Sequence, residues 1–227
     1  MVHVSLRQER LVLAAYDLRF LLDRGYPRES SINFVGNHYQ LRQIERDVLY
    51  RGVFSGKAIH RRKRHTLSPA GITGSNLGID GHNVLITLES ALRGRHIILA
   101  NDGFVRDVSR VFRSYRPTGL SRDAWQLVLQ VLKKFPPDLA VIYLDAPLSK
   151  SRELSYRIKR WTQDAGLSCT VEAVNSPEHL LLDHSGPIVS ADSLLLDRAD
   201  RIFDLAGYII LKRMEPSRLS MIDLTDF

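Results

Sequence analysis

The strongest constraint on the fold is a regular alternation of apolar, strand-like runs with helical patterns after Ser75. Apolar, β-branched runs occur at Leu77–Ile86, Ile97–Ala100, Leu139–Leu144, Cys169–Val174 and Ile188–Val189, with a last apolar stretch at Ile202–Leu211. Helical patterns separate them at Phe104–Tyr115, Ser121–Phe135, Ser149–Gly166 and Pro177–Leu182. Because strands joined by helical crossovers pair in parallel, the sequence predicts an α/β fold of three layers, in which helices cover both faces of a mainly parallel sheet.

The first third of the chain has a helical pattern without strands. Its three-to-four-residue periodicity and its glycine and proline stop signals predict short helices at about Leu6–Leu22, Arg28–Gly36 and Leu41–Arg51. Between Phe54 and Ser75 the periodicity disappears and the composition becomes basic and loop-like. We therefore predict a basic helical module at 1–55, a basic linker at 56–75 and an α/β domain at 76–227.

The charge of the chain is concentrated in the same region. The formal net charge is +7, and residues 1–75 hold all of this surplus because acids and bases balance in the remainder. A run of four cations predicts contacts with nucleic-acid phosphates, since clustered cations release counterions from a nucleic-acid backbone: Arg61, Arg62, Lys63 and Arg64. A solvated basic loop is the alternative interpretation of this run.

The sequence also predicts the cellular compartment of the protein and excludes several kinds of catalytic site. One cysteine, Cys169, fits a reducing compartment, and the first residues carry Arg7 and Glu9 where a signal peptide has an apolar core, so we expect a cytoplasmic protein without membrane contact. The nucleophile elbow of serine hydrolases, the zincin motif, the phosphate-binding loop of NTPases and the dinucleotide fingerprint are missing from the sequence.

Aspartates follow three of the predicted strands. Asp80 ends the first of them, Asp145 ends the strand from Leu139, and Asp192 follows Ile188–Val189. Because ligands bind beyond the carboxyl ends of parallel strands, we expect the three carboxylates to converge at one edge of the sheet. Carboxylate oxygens are preferred ligands of Mg²⁺ and Mn²⁺, which suits phosphodiester hydrolysis. Aspartate is also a favoured N-cap residue, and capping of the next helix remains the alternative.

The motifs that contain these residues resemble those of known protein families in two respects. The stretch Ile79–Val84, in which Asn83 closely follows Asp80, resembles the opening motif of PIN-like and NYN nuclease domains, and Asp145 and Asp192 fall where such domains place further metal-binding acids. Over nearly its full length the chain also resembles an uncharacterised prokaryotic family, domain of unknown function 434, whose signature is found at Leu22–Pro27, Phe34–Tyr39 and Arg46–Gly52.

The resemblance to PIN-like and NYN nuclease domains implies a metal-dependent ribonuclease on a PIN-like fold. Its catalytic residues and ligands of Mg²⁺ or Mn²⁺ are Asp80, Asp145 and Asp192, and its partner is a nucleic acid, RNA rather than DNA. The sequence departs from the pattern of active members in Ala191-Asp192-Ser193, where such members often carry consecutive acids. A non-catalytic RNA- or DNA-binding protein and a helix-turn-helix reader of DNA therefore remain alternatives, and the formation of a homodimer stays open.

Supporting candidates lie near these motifs. Asn83, Asp102 and Asp107 are candidates to complete the acidic site, and Arg106 is a candidate to hold a phosphate. An Asx turn with an ion pair is the alternative for the Asp102–Asp107 segment. Ser149, at the start of the helix after Asp145, is a candidate phosphate contact, and capping of that helix explains it equally well.

Overall fold

The computed structural model describes residues 6–108 and 115–227 of the chain. Its helices are α1 Leu6–Asp23, α2 Arg28–His38, α3 Gln43–Gly52, α4 Gly56–His65, α5 Gly81–Leu92, α6 Leu120–Lys134, α7 Ser151–Asp164, α8 Pro177–Leu182, α9 Ser193–Leu196 and α10 Leu205–Arg213. Its strands are β1 Asn76–Asp80, β2 His96–Leu99, β3 Val105–Asp107, β4 Leu139–Asp145, β5 Cys169–Val174, β6 Ile188–Val189, β7 Ile202–Phe203 and β8 Ser220–Asp223. Among the described helices, none combines the length and the apolar character that crossing a bilayer requires.

The chain divides into two compact units. The first consists of Met1–Arg64, His96–Ser109 and Met221–Phe227, and the second of His65–Arg95 and Arg110–Ser220. This division differs from the predicted boundaries at 55 and 75, because β2 and β3 join the N-terminal helices although they lie within the predicted α/β domain. The predicted combination of N-terminal helices with a mainly parallel α/β sheet is confirmed.

The first unit packs four helices, α1 to α4, and a small sheet around one apolar core. The sheet has the order β3-β2-β8, and β2 and β3 run antiparallel. Helices α1, α2 and α3 contact one another, and α3 also contacts β2. At the end of α3, a Cβ on Gly52 would lie 2.4 Å from Leu224 and 2.9 Å from Ile98, so glycine permits this close approach of helix and sheet.

The second unit is built on a five-stranded parallel sheet. Its order is β5-β4-β1-β6-β7, and every neighbouring pair is parallel. Consecutive side chains of a strand point to opposite faces, yet Leu77, Gly78 and Ile79 of β1 are all buried, which shows that both faces of the central strand are covered. Helices α5 and α8 each contact both β1 and β4.

Two of the apolar runs identified in the sequence each contain a strand followed by a helix. The run Leu77–Ile86 changes at Asp80, which accepts a hydrogen bond from the backbone N–H of Asn83 and caps α5. The run Ile202–Leu211 changes in the same way at Asp204, which accepts a hydrogen bond from Gly207 and caps α10. Both helices are buried on most sides, so their sequences lack the polar stripe that reveals a surface helix.

Two further segments differ from the predictions. Val105–Asp107, inside the predicted helix Phe104–Tyr115, is strand β3, because Gly103 adopts a φ of 90° and turns the chain back onto β2. The rest of that predicted helix contains residues 109–114, which lie outside the described residues. The predicted linker 56–75 begins with helix α4, whose buried residues Ile59 and Arg62 lie one turn apart on one face.

Substitution of Gly186 tests the packing beside β1. A Cβ at this position would lie 1.7 Å from the carbonyl oxygen of Asn76. We expect Gly186→Ala to lower the free energy of unfolding by about 2 kcal/mol or more, because the backbone must shift to relieve the clash. Gly119→Ala is the matched control, since a Cβ there has no atom within 4 Å. Chemical denaturation of both variants checks this, and equal stability of the two would contradict the packing described.

Candidate functional site

Three aspartates lie at the carboxyl ends of three adjacent parallel strands. Strand β1 lies between β4 and β6 in the sheet. Asp80 is the last residue of β1 and Asp145 the last of β4, and Asp192 follows the end of β6 by three residues. The register pairs Asp80 with Tyr143, two residues before Asp145. The structure therefore places Asp80, Asp145 and Asp192 at the same edge of the sheet.

Asp80 is fixed by two hydrogen bonds on different oxygens. Its Oδ1 accepts from the backbone N–H of Asn83 at 3.1 Å, and its Oδ2 accepts from the hydroxyl of Ser190 at 3.0 Å. The first bond is the N-cap of α5, so the predicted capping role of this aspartate is real. The second joins the ends of β1 and β6, because Ser190 directly follows β6. The carboxylate thus has a fixed orientation at the strand edge.

Asn83 fixes the loop that carries Asp192. Its side-chain Oδ1 accepts from the backbone N–H of Ala191 at 2.9 Å. The N–H of Asp192 donates to the hydroxyl of Ser190 at 3.1 Å, and the Asp192 carboxylate accepts from Leu194 at 2.8 Å, which caps α9. Asn83 therefore acts as a positioning residue in this structure, and Asp192 is exposed.

The buried side chain of His82 contacts Asp145 and holds its backbone in place. The Nδ1 atom of His82 accepts a hydrogen bond from the backbone N–H of Asp145 at 2.9 Å, so this nitrogen carries no proton in that arrangement. The carboxylate Oδ2 of Asp145 lies 3.4 Å from the same nitrogen. The carbonyl oxygen of Asp145 accepts from Ser151 at 2.6 Å, whereas the predicted Ser149 is exposed in the turn before α7.

The three carboxylates influence one another electrostatically. The pKa of Asp80 is raised to about 7, mainly by burial and also by the negative charges of Asp145 and Asp192, although the hydrogen bonds from Asn83 and Ser190 lower it. Among the described residues, no group of three or more His, Cys, Asp or Glu side chains is arranged to hold a metal ion. The donors are nevertheless of the kind that hard cations prefer, since all are carboxylate oxygens.

The sequence-based reasoning missed three residues at this edge. The sequence patterns assigned no role to Ser190, His82 or Asp204. Asp204 follows β7, the neighbour of β6, and caps α10 as Asp80 caps α5. The signal for Asp204 was present in the sequence, because it follows Ile202-Phe203 as Asp80 follows Gly78-Ile79.

Asp102 occupies a different environment, in the first unit. Its carboxylate accepts from Arg62 at 2.6 Å and from both terminal nitrogens of Arg106 at 2.8 and 2.7 Å. Burial raises the pKa of Asp102, but the attraction and hydrogen bonds of Arg106 and Arg62 outweigh this effect and lower the pKa below its usual value. This arrangement is a buried ion cluster, and it gives Asp102 two guanidinium partners where the sequence analysis proposed a metal.

The same cluster corrects the predicted nucleic-acid contacts. The side chains of Arg62 and Arg106 are 1% and 6% exposed, so neither is available to a phosphate in solution. Both guanidinium groups lie over the ring of Phe54, at 4.0 and 4.8 Å from its centroid. Of the rest of the basic run, Lys63 and Arg64 are exposed and Arg61 is partly exposed.

Asp107 is likewise engaged within the first unit. Its carboxylate lies 2.9 Å from Arg51, and the backbone oxygen of Asp107 accepts from the same guanidinium at 3.3 Å. Asp107 is 9% exposed at its side chain. The predicted supporting candidates Asp102 and Asp107 are therefore part of the interior of the first unit, whereas Asn83 lies with the strand-end aspartates in the second.

The fold and the strand-end carboxylates define this chain as an α/β protein with an acidic strand edge, and sequence comparisons place it in a family. Residues 69–208, more than half of the chain, match the family described as "Domain of unknown function (DUF5616)". Residues 10–65 match the "Protein of unknown function (DUF434)" family, which confirms that resemblance for the N-terminal region but not for nearly the full length. The chain belongs to the DUF5616 family and carries a DUF434 segment before it.

An archaeal relative supports this membership. A protein of Methanocaldococcus jannaschii, described as "Uncharacterized protein MJ0935", is 33% identical over 183 residues. The aligned region covers 81% of this chain and 87% of the relative. No solved structure matches the chain.

The raised pKa of Asp80 predicts a pH-dependent stability. The folded state binds the Asp80 proton more tightly than the unfolded chain, so this group stabilises the fold less as the pH rises from about 4 to about 7. We expect Asp80→Asn, which retains the helix cap, to be more stable than the wild type at pH 8 by on the order of 2 kcal/mol. The difference should shrink towards pH 4.

Denaturation of both proteins in the presence of a chelator, at several pH values, checks this expectation. Asp164→Asn is the control, because Asp164 is exposed and lies 3.9 Å from Arg160 at the surface. A constant difference between Asp80→Asn and wild type across this pH range would contradict the electrostatic environment described.

The lowered pKa of Asp102 predicts that this residue contributes to stability in the opposite way, with a contribution that grows as the pH rises. Asp102→Asn leaves Arg62 and Arg106 buried without their counter-charge, and we expect it to lower the free energy of unfolding by about 3–5 kcal/mol at neutral pH. The contribution of Asp102 is present above a pH of about 4 and is lost as the pH falls through its lowered folded-state pKa. Urea denaturation measures both effects. A loss below about 1 kcal/mol, close to that of Asp164→Asn, would show that the cluster is unimportant for stability.

Proposed function

We propose that this chain is a divalent-metal-dependent ribonuclease with a PIN-like α/β domain. Its active site, which hydrolyses the phosphodiester bonds of RNA, is formed by Asp80, Asp145 and Asp192. The observation that carries this proposal is the position of three carboxylates at the carboxyl ends of three adjacent parallel strands. In open α/β sheets this edge is where ligands bind. The PIN-like assignment itself depends on the resemblance of Ile79–Val84, Asp145 and Asp192 to the motifs of such domains.

The need for a cation follows from electrostatics. Three carboxylates repel one another and repel a phosphodiester, so an anionic substrate reaches this edge only when positive charge is added. Asp80, Asp145 and Asp192 would hold Mg²⁺ or Mn²⁺, since these ions prefer carboxylate oxygens. When bound there, such an ion would supply positive charge at the phosphate and would activate water for the attack.

The residues around the aspartates would keep the site organised. Ser190 and Asn83 hold the orientation of Asp80 and of the loop that carries Asp192, through the bonds described above. His82 supports the end of β4 and thereby the position of Asp145. The exposed Lys150 and Arg152 follow Asp145 in the chain and are our candidates for contacts with the RNA backbone, in addition to Arg61, Lys63 and Arg64 of the first unit.

The reaction consumes one water molecule per bond. The oxygen of water forms a bond to phosphorus, the bond between phosphorus and the leaving ribose oxygen breaks, and a proton passes to that oxygen. The products are a phosphate monoester and a free hydroxyl group. Precise positioning of the attacked phosphate is the task of the strand-edge residues, because the three carboxylates stand on the rigid sheet.

A non-catalytic nucleic-acid-binding protein is the second candidate. It is favoured by one specific observation, namely that Asp80 and Asp192 both cap helices and thus have a structural use without any metal. This candidate retains the exposed cations of α4 and binds RNA in a salt-sensitive way without turnover.

Cleavage of RNA distinguishes the two candidates. We expect the purified full-length protein to cut labelled single-stranded or structured RNA with Mn²⁺ or Mg²⁺ and to be inactive with a chelator. Asp80→Asn should reduce the cleavage rate about 100-fold or more, because it removes a charged ligand at the site. Gel analysis of the products over time measures the rate, and Asp164→Asn is the control that should keep wild-type activity.

Binding measurements complete the design. Titration calorimetry with Mn²⁺ should show heat of binding for the wild type and a loss of it for Asp80→Asn. RNA binding that weakens with salt, without metal-dependent cleavage, would overturn the nuclease proposal and leave the second candidate. Cleavage that persists in Asp80→Asn would remove Asp80 from the mechanism.

A further inference from the structure

The second unit contains a cavity that the proposed hydrolysis does not use. Its volume is about 350 Å³, and arginines from three positions line it, Arg93, Arg95 and Arg116. Arg93 and Arg95 follow the end of α5, whereas Asp80 precedes its start, so the cavity and the strand-end aspartates lie towards opposite ends of this helix. At 1.5 Å per residue, about 18 Å of helix separates the two regions.

A buried hydrogen-bond network forms one wall of this arginine-lined cavity. Glu89, 4% exposed, accepts from the hydroxyls of Tyr115 at 2.6 Å, Ser121 at 2.7 Å and Thr118 at 3.1 Å. It also accepts from Arg93 at 3.0 Å. Because four donors point at its two oxygens, Glu89 acts as an acceptor only, which is the behaviour of a carboxylate. The wall is therefore fixed before any ligand arrives.

The network orients Arg93 within the wall. The Nη2 atom of Arg93 donates both to Glu89 and to the hydroxyl of Thr118, at 3.0 and 2.7 Å. Both of these contacts use the same nitrogen, and the guanidinium group is a planar fork with donors on its other nitrogens as well. Glu89 thus holds this fork in one position at the edge of the cavity.

The charge of the lining identifies the ligand. Among the described residues of the lining, three guanidinium groups and one carboxylate sum to a net charge of +2, and Arg95 and Arg116 are exposed to the solvent that a ligand displaces. A ligand with two negative charges balances this lining. Guanidinium groups bind phosphate through two parallel hydrogen bonds, and the dianionic monoester has three acceptor oxygens.

The size of the cavity indicates a ligand larger than inorganic phosphate. A volume of 350 Å³ lies at the lower end of the range found for small-molecule sites, about 300–1,000 Å³. The apolar atoms of Ile86 and the ring of Tyr115 lie in the same lining. They are suited to contact the organic part of a phosphorylated molecule.

We propose that this cavity binds a phosphate monoester dianion, such as the phosphate of a nucleoside monophosphate or of a 5′-phosphorylated RNA end. The proposal is independent of the hydrolysis proposed at the strand ends, because it involves none of the three aspartates. The two sources share one chemistry, and the ligand series below separates them.

Calorimetric titration of the full-length protein with uridine 5′-monophosphate at low ionic strength tests the proposal. We expect saturable binding, and Arg95→Gln and Arg116→Gln should each weaken it about 10-fold by loss of a charge-assisted contact. Both side chains are exposed, so the variants should fold as the wild type does, which their unfolding midpoints check. Arg160→Gln, at an exposed position of α7, is the matched control and should bind like the wild type.

A series of ligands tests whether binding depends on the two negative charges of the phosphate monoester. Uridine, which lacks the phosphate, and dimethyl phosphate, a monoanion, should bind at least about 10-fold more weakly than the monophosphate, because each leaves positive charge unbalanced. Binding of the monophosphate should weaken from pH 8 to pH 5, as its second ionisation near pH 6 is lost. An RNA that binds more tightly with a 5′-phosphate than with a 5′-hydroxyl assigns the site to RNA ends, and preference for the free nucleotide assigns it to nucleotides.

The proposal is overturned by either of two results. One is the lack of saturable binding of uridine 5′-monophosphate at millimolar concentration. The other is binding that Arg95→Gln and Arg116→Gln leave unchanged or reduce no more than Arg160→Gln does. Loss of RNA cleavage in Asp80→Asn with intact nucleotide binding keeps the two proposals distinguishable, because the two sites share no residue.

Discussion

The second unit depends on aspartates that end parallel strands and begin the next helices. At Asp80, Asp192 and Asp204 the side chain accepts from a backbone N–H in the first turn of the following helix. The cap satisfies a donor that the helix cannot satisfy internally, and it fixes the angle at which the chain leaves the sheet. Because the strands are parallel and adjacent, the same capping contact places carboxylates at one edge of the sheet. The acidic site therefore arises from contacts that the chain needs to turn from each strand into the next helix.

Two aspartates show how the environment separates the roles of one residue type. Burial, together with two neighbouring carboxylates, raises the pKa of Asp80 to about 7 despite hydrogen bonds from an amide and a hydroxyl. Asp102 has two guanidinium groups around it, and its pKa is lowered. The first site holds negative charge that attracts a cation or a proton, and the second is already neutralised by Arg62 and Arg106. Only the first arrangement leaves charge available for binding a ligand.

The sequence predicted elements well where local pattern and tertiary environment agree. The helix Pro177–Leu182 and the strand Cys169–Val174 are found at the predicted residues, and the strand-end aspartates Asp80 and Asp145 lie on adjacent strands as expected. The buried helix α5 was missed because its apolar sequence continues that of β1 without a change of period. Arg62 was assigned to the surface because nothing in a run of four cations indicates which one faces the interior, a choice that depends on Asp102, forty residues further along the chain.

The capping of α5 and α9 affects how relatives of this chain can be understood. Aspartate and asparagine cap a helix about equally well, so the counterparts of Asp80 and Asp192 would persist as one or the other of these residues in a descendant that had lost every enzymatic step. Asp145 differs, because α7 begins only at Ser151 and the Asp145 carboxylate faces His82 instead of a helix terminus. Replacement at this position therefore removes little scaffolding, and under the proposed function the Asp145 carboxylate is the one whose loss would mark an inactive relative.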